Sequence, residues 1–204
     1  MLNKKVSDLL NEQINKELYS AYLYLDMNNY FDKRGLAGFA NWYMIQAQEE
    51  RDHAMLIYKY MQNNDCPIKL NAIAMPDKKY KKDMDVLKAG LEHEEYVTAS
   101  IHTIYDAAYK VKDFRTMQFL DWFVKEQGEE ETNARDLITK MELFGADPKS
   151  LYMLNQVKVK LLSPVRLFAT PWTAAYQTPP SMGFPRQEYW SGCHCLLCVM
   201  SRFF

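Results

Sequence analysis

Apolar residues recur at every third or fourth position in the first part of the chain, which is the spacing of residues on one face of an α-helix. The first such run begins near Val6, and Asn3 or Ser7 precedes it as a candidate helix cap. Gly35 marks the turn that ends this helix, and the same spacing resumes at once in residues 36–64. The pattern therefore predicts two long helices joined by a tight turn, so that the second folds back along the first.

The next stretch, residues 65–82, has no helical spacing and contains Pro67 and Pro76. At about 3.3 Å per residue, an extended chain of this length spans roughly 60 Å, which exceeds the height of a helix bundle about 40 Å tall. A connection of that reach carries the chain from one end of a bundle to the other. It predicts that the third helix, which begins near Asp83, runs parallel to the second.

Helical spacing then continues to a tight turn at Lys112 and Asp113. A fourth helix follows and ends at Gly145, which is predicted as a left-handed cap ahead of Pro148. Residues 149–162 are predicted as a short fifth helix. The expected fold class is therefore all-α, a four-helix bundle with a long crossover between the second and third helices and a short C-terminal fifth helix.

Each apolar stripe is interrupted by an acid or an amide. The separation between Glu17 and Glu50 along the chain is repeated between Glu94 and Gln127. One constant offset therefore relates the two pairs, so both halves of the predicted bundle carry these groups in register. Two further polar side chains follow three positions after the second member of each pair. They are His53, in Glu50-x-x-His53, and Glu130, in Gln127-x-x-Glu130.

The neighbours of these polar groups are apolar, which predicts that the groups point into the core. Ile14, Leu18 and Ala21, for example, lie beside Glu17 on the helix. A buried carboxylate without a partner is strongly disfavoured, and helix bundles that gather carboxylates and histidine in their core use them to hold two metal ions. A lone Glu-x-x-His on a helix is more often solvated, so the prediction rests on the coincidence over four helices.

Composition limits the alternatives. The chain has 204 residues, of which 48% are apolar and 25% charged, enough for one domain with a full core and an appendage. It has neither a signal-peptide run nor the roughly 20 apolar residues of a membrane span, so we expect a cytoplasmic protein with no membrane partner. Up to Gln156 the one cysteine is Cys66, which fits a reducing compartment and a structural role. The predicted core is acidic and a basic face is lacking, so no nucleic acid partner is expected.

Residues 1–156 resemble the bacterial non-haem ferritins in four motifs. These are Asn-Glu-Gln-Ile-Asn-x-Glu-Leu-Tyr-Ser-Ala-Tyr-Leu-Tyr at 11–24, Ala-Gln-Glu-Glu-x-x-His at 47–53, His-Glu at 93–94 and Trp-Phe-Val-x-Glu-Gln-x-Glu-Glu-Glu at 122–131. The resemblance implies a ferritin-like bundle that forms a hollow shell of twenty-four copies, oxidises Fe(II) with O2 or H2O2 and stores iron as a ferric mineral.

The resemblance also assigns a first iron site to Glu17, Glu50 and His53. This mixed set of oxygen and nitrogen ligands suits an ion that passes from the ferrous to the ferric state.

By the same resemblance, a second iron is held by Glu94 and Glu130, with Glu50 as the bridge between the two ions. Gln127 takes the place where a symmetric bundle has a glutamate. Because an amide is neutral and compensates less charge, the second iron is expected to be held more weakly. The resemblance places Tyr24 close to the di-iron centre, where it hydrogen-bonds a ligand or supplies an electron; the alternative is a core aromatic with a bonded hydroxyl.

A third iron site on the cavity side is also implied by the resemblance, although spacing alone fits a solvated acidic face equally well. The acids of the implied third site are Glu49, Glu126, Glu129 and Glu130.

Two further histidines, His93 and His102, are predicted to be surface residues. His93 projects away from the apolar stripe of its helix.

Comparison with two related classes of protein limits the cofactors that are expected. Haem-carrying bacterioferritins have a methionine directly after the glutamate of their first Glu-x-x-His, whereas this chain has Arg51, so no haem is expected. Rubrerythrin-like proteins carry paired Cys-x-x-Cys motifs for a single iron. The cysteines near the end of this chain do not form such a pair, because they read Cys193-His194-Cys195-x-x-Cys198.

The composition changes from Val157 onward. Residues 157–204 contain five of the eight prolines, three of the four cysteines, five basic residues and one acid, which gives +4 against −5 for the residues before them. Runs such as Ser-Pro-Val-Arg-Leu-Phe-Ala-Thr-Pro-Trp resemble the conceptual translation of a mammalian interspersed repeat. Our hypothesis is that residues 157–204 are a tail foreign to the family, irregular in structure and derived from a chimaeric or misassembled reading frame. A full shell is expected if this tail permits it.

Two other classes of function remain open at this stage. One is a di-iron or di-manganese redox enzyme that acts on peroxide and stores no mineral. The other is a shell or interaction protein whose carboxylates are merely paired with cations of the protein. Too few lysines and arginines share the inner stripes for the second class, and the acids at 126, 129 and 130 favour storage over the first.

Overall fold

A computed structural model of the chain describes residues 2–161, with side chains through Gln156. The described part is helical and contains no strand, which confirms the predicted fold class. None of its helices carries an apolar stretch long enough to cross a membrane. The proposed tail, residues 157–204, lies almost entirely outside the described residues. The helices are α1 (Lys4–Lys33), α2 (Ala37–Asn63), α3 (Asp83–Lys110), α4 (Phe114–Phe144) and α5 (Pro148–Leu161).

Side-chain caps start α1 and α4. Asn3, rather than Ser7, caps α1, because its side-chain oxygen accepts a hydrogen bond from the backbone N–H of Lys5 at 2.9 Å. Asp113 caps α4 in the same way through the backbone N–H of Thr116, at 3.1 Å. The short turns before α2 and α4 fold each helix back on its predecessor, so α1 packs on α2 and α3 packs on α4.

The prediction of a left-handed cap at Gly145 was wrong. Gly145 has φ −75°, in the right-handed region, and its N–H donates to the carbonyl of Met141 at 2.8 Å as in a continuing helix. Among the described residues, positive φ values occur instead at Gly35, Asp65 and Lys112, each of which follows a helix. Asp147 caps α5 two residues later through the backbone N–H of Ser150.

The crossover between α2 and α3 is bound along α1 by two asparagine side chains. Asn11 donates to the carbonyl of Pro67 at 3.1 Å and accepts from the N–H of Lys69 at 2.7 Å. One turn later, Asn15 donates to the carbonyls of Asn71 and Ala72. The predicted long connection therefore exists, and its backbone groups are satisfied by polar side chains of α1 where a strand partner is lacking.

The core consists of two apolar clusters separated by a polar layer. One cluster joins the end of α1 to the start of α2 and includes Phe31, Phe39 and Tyr43. The other joins the start of α1 to the end of α2 and includes Leu10 and Ile57. Between them, all four long helices contribute buried polar side chains. They include Glu17, Ser20, Glu50, His53, His93, Glu94, Gln127 and Glu130.

The short helix α5 docks on the bundle through one asparagine. The Asn155 side-chain oxygen accepts hydrogen bonds from the backbone N–H groups of Gly38 and Phe39, at 2.7 and 3.3 Å. It thereby caps the start of α2, where Leu36 offers no side-chain cap. This close approach requires glycine, because a Cβ at Gly38 would lie 1.9 Å from the Asn155 backbone oxygen.

Replacing Gly38 with alanine is therefore expected to displace α5 from the bundle and to expose the start of α2. We expect faster hydrogen exchange in α5 and an unfolding free energy lowered by about 2 kcal/mol, the upper range for a lost cap. The matched control is Gly128→Ala in α4, where a Cβ meets nothing within 4 Å. It is expected to stabilise the protein by up to about 1 kcal/mol through helix propensity. Equal exchange in α5 of the Gly38→Ala and Gly128→Ala proteins would contradict this docking.

Candidate metal centre

Three predicted ligands meet in the polar layer. Glu17 comes from α1, and Glu50 and His53 come from adjacent turns of α2. One potential ligand atom from each lies within 4.8 Å of the other two, and all three side chains are buried. The Glu50–His53 spacing places both on the same helix face, and the packing of α1 against α2 brings Glu17 to them.

Several ligand atoms in this group lack hydrogen-bond partners in the described part of the chain. They include Glu17 Oε2, Glu50 Oε2 and His53 Nδ1, of which the last two lie 3.7 Å apart. The His53 ring is held by edge-on contacts with Trp122 and Phe123, at centroid distances of 5.4 and 6.0 Å. Buried polar atoms without partners are costly, and a divalent cation is a partner that satisfies carboxylate and imidazole together. The donor set therefore fits a metal ion.

The other predicted ligands are already engaged in hydrogen bonds. Tyr24 donates from its hydroxyl to Glu94 Oε1, and the Gln127 amide donates to Glu94 Oε2 at 3.1 Å. Glu130 Oε2 accepts from the Gln46 amide at 2.9 Å. Both oxygens of Glu94 are thus occupied, in contrast to the open Oε2 atoms of the first group.

Burial is the main reason why the pKa of Glu17 and the pKa of Glu50 lie well above their ordinary value. The charge of a neighbouring carboxyl adds to each shift, Glu50 acting on Glu17 and Glu94 acting on Glu50. Burial also raises the pKa of Glu94, although the hydrogen bonds from Tyr24 and Gln127 oppose it. An added cation among these groups favours their charged forms, so metal binding is expected to release protons.

Tyr24 is a buried tyrosine in direct contact with Glu94. Burial, followed by the charge of Glu94, raises its pKa well above the ordinary value, so its hydroxyl remains a donor. Its ring contacts Tyr43 and His93, with centroids 5.7 and 6.0 Å away. A cavity of ≈ 20 Å³, about the room that one water needs, lies between Tyr24, Tyr43 and the two carboxylates Glu94 and Glu130.

The acids of the implied third site are not gathered in the same way. Glu49 and Glu126 are half-buried, and Glu129 is exposed with Oε1 3.7 Å from Lys125 Nζ. Within the described residues, no second group of three acid, histidine or cysteine side chains satisfies the 4.8 Å distance. These acids therefore lie beside the centre but form no cluster of ligand atoms.

The prediction that His93 is a surface residue was wrong, whereas His102 is exposed as predicted. His93 is buried, and its Nε2 lies 2.7 Å from the hydroxyl of Ser20. The same hydroxyl also lies 3.0 Å from the Lys16 carbonyl oxygen. Burial lowers the pKa of His93 to about 4. The sequence argument failed because α1 packs against α3 and covers the side that projects away from the main stripe.

Two buried glutamines were missed in the sequence. Gln13 donates to Glu17 Oε1 at 2.9 Å, and Gln46 holds Glu130. A signal for them exists, because Gln13 and Gln46 have the same separation along the chain as Glu17 and Glu50. Each glutamine precedes its glutamate by one helical turn. The repeat therefore comprises a Gln-x-x-x-Glu in both helices, not the glutamate alone.

Comparison with known proteins identifies the family. Residues 7–144 match the family model for the ferritin-like domain. The chain is 38% identical over 156 residues to the bacterial non-heme ferritin of Campylobacter jejuni, covering 76% of this chain and 93% of that protein. It is 33% identical over 156 residues to a probable bacterial non-heme ferritin-like protein of Haemophilus influenzae, with 76% and 94% covered. A crystal structure of an open-pore ferritin from the archaeon Archaeoglobus fulgidus superposes with a TM-score of 0.76 at 40% identity, covering 78% of this chain and 98% of that one. The chain therefore belongs to the ferritin family.

Proposed function

We propose that this ferritin oxidises Fe(II) at the centre between its four long helices and stores the product as a ferric mineral. The observation that carries the proposal is the group formed by Glu17, Glu50 and His53. Its potential ligand atoms lie within 4.8 Å of one another, in a buried layer that divides the apolar core. Such a layer costs stability unless a cation compensates it, and Fe(II) is the cation that the family relationship supports.

In this proposal the first Fe(II) binds to Glu17, Glu50 and His53. The second binds to Glu94 and Glu130, with Glu50 as the bridge. The two positions differ before any metal arrives, because both oxygens of Glu94 already accept hydrogen bonds. The second ion competes with those bonds for the Glu94 oxygens, so we expect it to bind after the first and more weakly.

The protein's own groups hold the substrate ions and manage charge. Each Fe(II) gives up one electron, and O2 or H2O2 is the acceptor. Gln127 donates a neutral hydrogen bond, which orients Glu94 without adding a charge. The raised pKa of Tyr24 keeps its hydroxyl protonated, so it continues to donate to Glu94. In this proposal, by the family relationship, its ring can also supply an electron.

Storage is the part of the proposal that distinguishes a ferritin from a soluble redox enzyme. We infer that Glu49, Glu126 and Glu129, with Glu130, receive iron on its way to a mineral, at a third site on the cavity side. The partial or full exposure of Glu49, Glu126 and Glu129 supports transfer of an ion better than tight retention. The proposal includes a shell of twenty-four copies, which the family relationship favours and which the tail must accommodate.

The test is oxygen uptake by the metal-free full-length protein as Fe(II) is added in steps. We expect a fast phase that saturates at about two Fe(II) per chain, because two ions fill the centre. Protein loaded first with Zn(II), which takes similar oxygen and nitrogen ligands, is the control and is expected to lose this phase. Uptake no faster than in buffer would contradict the proposal.

Iron retained by the protein after a large excess of Fe(II) separates storage from the alternative function. Ferric iron that co-elutes with protein far above the capacity of the centre is expected for a ferritin. Retention of only about two ions per chain, with rapid consumption of peroxide, would favour a di-iron redox enzyme instead.

A further inference from the structure

A chain of hydrogen bonds runs from a lysine at the surface of α1 to the carboxylate of Glu17. Lys16 donates from Nζ to the Ser100 hydroxyl at 2.6 Å. The Ser100 hydroxyl donates to Gln13 Oε1 at 2.6 Å, and Gln13 Nε2 donates to Glu17 Oε1 at 2.9 Å. Gln13 has no exposed surface and Ser100 is buried between α1 and α3, so most of this chain of hydrogen bonds is enclosed by protein.

Lysine fixes the direction of every bond in this chain. An ammonium group can only donate, so Ser100 must accept from Lys16 and use its single hydrogen on Gln13. The Gln13 carbonyl therefore faces Ser100, and its NH2 group must face Glu17. Without the ammonium, the serine hydroxyl is free to reverse and the amide is free to rotate by a half turn, which would turn the amide oxygen toward Glu17 and remove the donor from Oε1.

The direction of the chain has a consequence for the carboxylate. Oε1 of Glu17 accepts the amide hydrogen bond, whereas Oε2 has no hydrogen-bond partner in the described part of the chain. The two oxygens are thus distinguished before an ion binds. A fixed carboxylate loses less rotational freedom on binding, and partners of this kind tune the ligand that they hold.

We propose that Gln13, oriented by Ser100 and Lys16, is a positioning residue that holds Glu17 for the first ion. The inference rests on the proposed function, because it assumes that Glu17 is a ligand. Gln13 would help to form the binding site of the first ion. Gln46 instead holds Glu130, a proposed ligand of the second ion. Gln46 therefore provides a matched control, a buried glutamine of the same repeat that contacts a different carboxylate.

The experiment measures binding of Co(II), a spectroscopically visible divalent ion, to the metal-free full-length protein. Calorimetry gives the affinities of the first and second ions, and the visible absorption of bound Co(II) reports its ligand set. Gln13→Met keeps the length of the side chain but removes both hydrogen bonds. We expect it to weaken the first Co(II) by about 10-fold, the lower end of the effect of such partners, and to change its absorption. Gln46→Met is expected to leave the first ion unchanged and to weaken the second.

Ser100→Ala is a second, smaller change that tests the same chain. It removes the hydroxyl that orients the Gln13 amide but leaves Gln13 in place, so weaker binding of the first ion supports the proposal even if Gln13→Met fails to fold. The proposal would be overturned if the folded Gln13→Met protein bound the first Co(II) with wild-type affinity and wild-type absorption. If Gln13→Met does not fold, the same result in Ser100→Ala would overturn it. Failure of the proposed function would give a different result. The Glu17→Ala variant would then bind Co(II) no more weakly than the wild-type protein does.

Discussion

The double variant Glu17→Ala, His53→Ala is expected to lose the fast phase of Fe(II) oxidation, with an initial rate at least about 100-fold below wild type. These two residues supply two of the three ligands proposed for the first ion, and Glu50 alone cannot hold it. A metal-centred reaction depends on several kcal/mol of charge stabilisation. Because a loss of roughly 1.4 kcal/mol already slows a reaction tenfold, loss of the bound ion is expected to remove the fast phase almost entirely.

The measurement is oxygen consumption at near-neutral pH after adding about two Fe(II) per chain to metal-free protein. The matched control is Glu12→Ala, His102→Ala, which removes the same two residue types from exposed positions on α1 and α3. The control is expected to react at the wild-type rate. Equal, slow uptake in the wild type and both variants would mean that the centre does not form in the full-length chain. A fast phase that survives in the Glu17→Ala, His53→Ala protein would place the reaction elsewhere.

The second large effect is on the stability of the metal-free protein, where Glu50→Gln is expected to stabilise the fold by about 2 kcal/mol near pH 8. Glu50 is 1% exposed and lies beside the carboxyls of Glu17 and Glu94. Its ionisation in the folded protein is therefore opposed by burial first and by repulsion second. Glutamine preserves the shape of the side chain and removes the charge, so the cost disappears together with the proposed bridging ligand.

This gain should depend on pH in a defined direction. The pKa of Glu50 in the folded state is raised well above its ordinary value of 4.5. The unfolded chain therefore gives up the proton of Glu50 at lower pH than the folded protein does. Stability linked to Glu50 is present in full below pH 4.5 and is lost as the pH rises through the folded pKa. The advantage of Glu50→Gln over wild type is thus expected to be small near pH 5 and larger near pH 8.

The comparison is best made by unfolding both proteins at equal concentration in the presence of a chelator. Below about pH 6.5, protonation of His93 in the unfolded chain also destabilises the fold, since burial lowers the folded pKa of His93 to about 4. That contribution is common to both proteins and cancels in their difference. Asp52→Asn, at a half-exposed neighbouring position, is the control and should be nearly neutral. An advantage of Glu50→Gln that shrinks as the pH rises would contradict a raised pKa for Glu50.

Iron binding and the stability of the metal-free protein are expected to depend in opposite directions on the same residues. The residues proposed to bind iron are the ones that weaken the metal-free fold, because they bring several acidic groups into one buried layer. Added Fe(II) or another divalent ion is expected to reverse the cost, since any ligand that binds only the folded state stabilises it.

Residue spacing was sufficient to predict much of the fold. The apolar period located all four long helices, and the proline-containing stretch without that period located the crossover. These features are local, because a helix repeats every 3.6 residues and a proline interrupts the pattern at its own position. Gly145 shows the limit of the local argument. Glycine permits a left-handed cap but does not require one, and Gly145 continues the right-handed helix instead.

The burial of the proposed ligands was also predictable, because these acids interrupt apolar stripes at repeated offsets. The hydrogen-bond partners around these residues could not be predicted from the sequence. Local spacing groups Gln46 with Glu50, one turn away on the same helix, yet its amide bonds to Glu130 on α4. His93 was expected in solvent, and it lies buried beside Ser20 of α1. In each case the partner is on another helix, and distances between helices depend on how their surfaces pack.

Sequence therefore established which residues form helices, which acids enter the core and to which family the motifs point, because each of these depends on residues close together in the chain or on a shared motif. Tertiary packing alone decided that both oxygens of Glu94 are occupied, because the donors Tyr24 and Gln127 come from α1 and α4. Gln13, in contrast, reaches Glu17 Oε1 from one turn earlier on the same helix, and within the described residues Oε2 of Glu17 has no hydrogen-bond partner. The occupation of Glu94 arises from contacts between helices, and a pattern along one helix does not contain it.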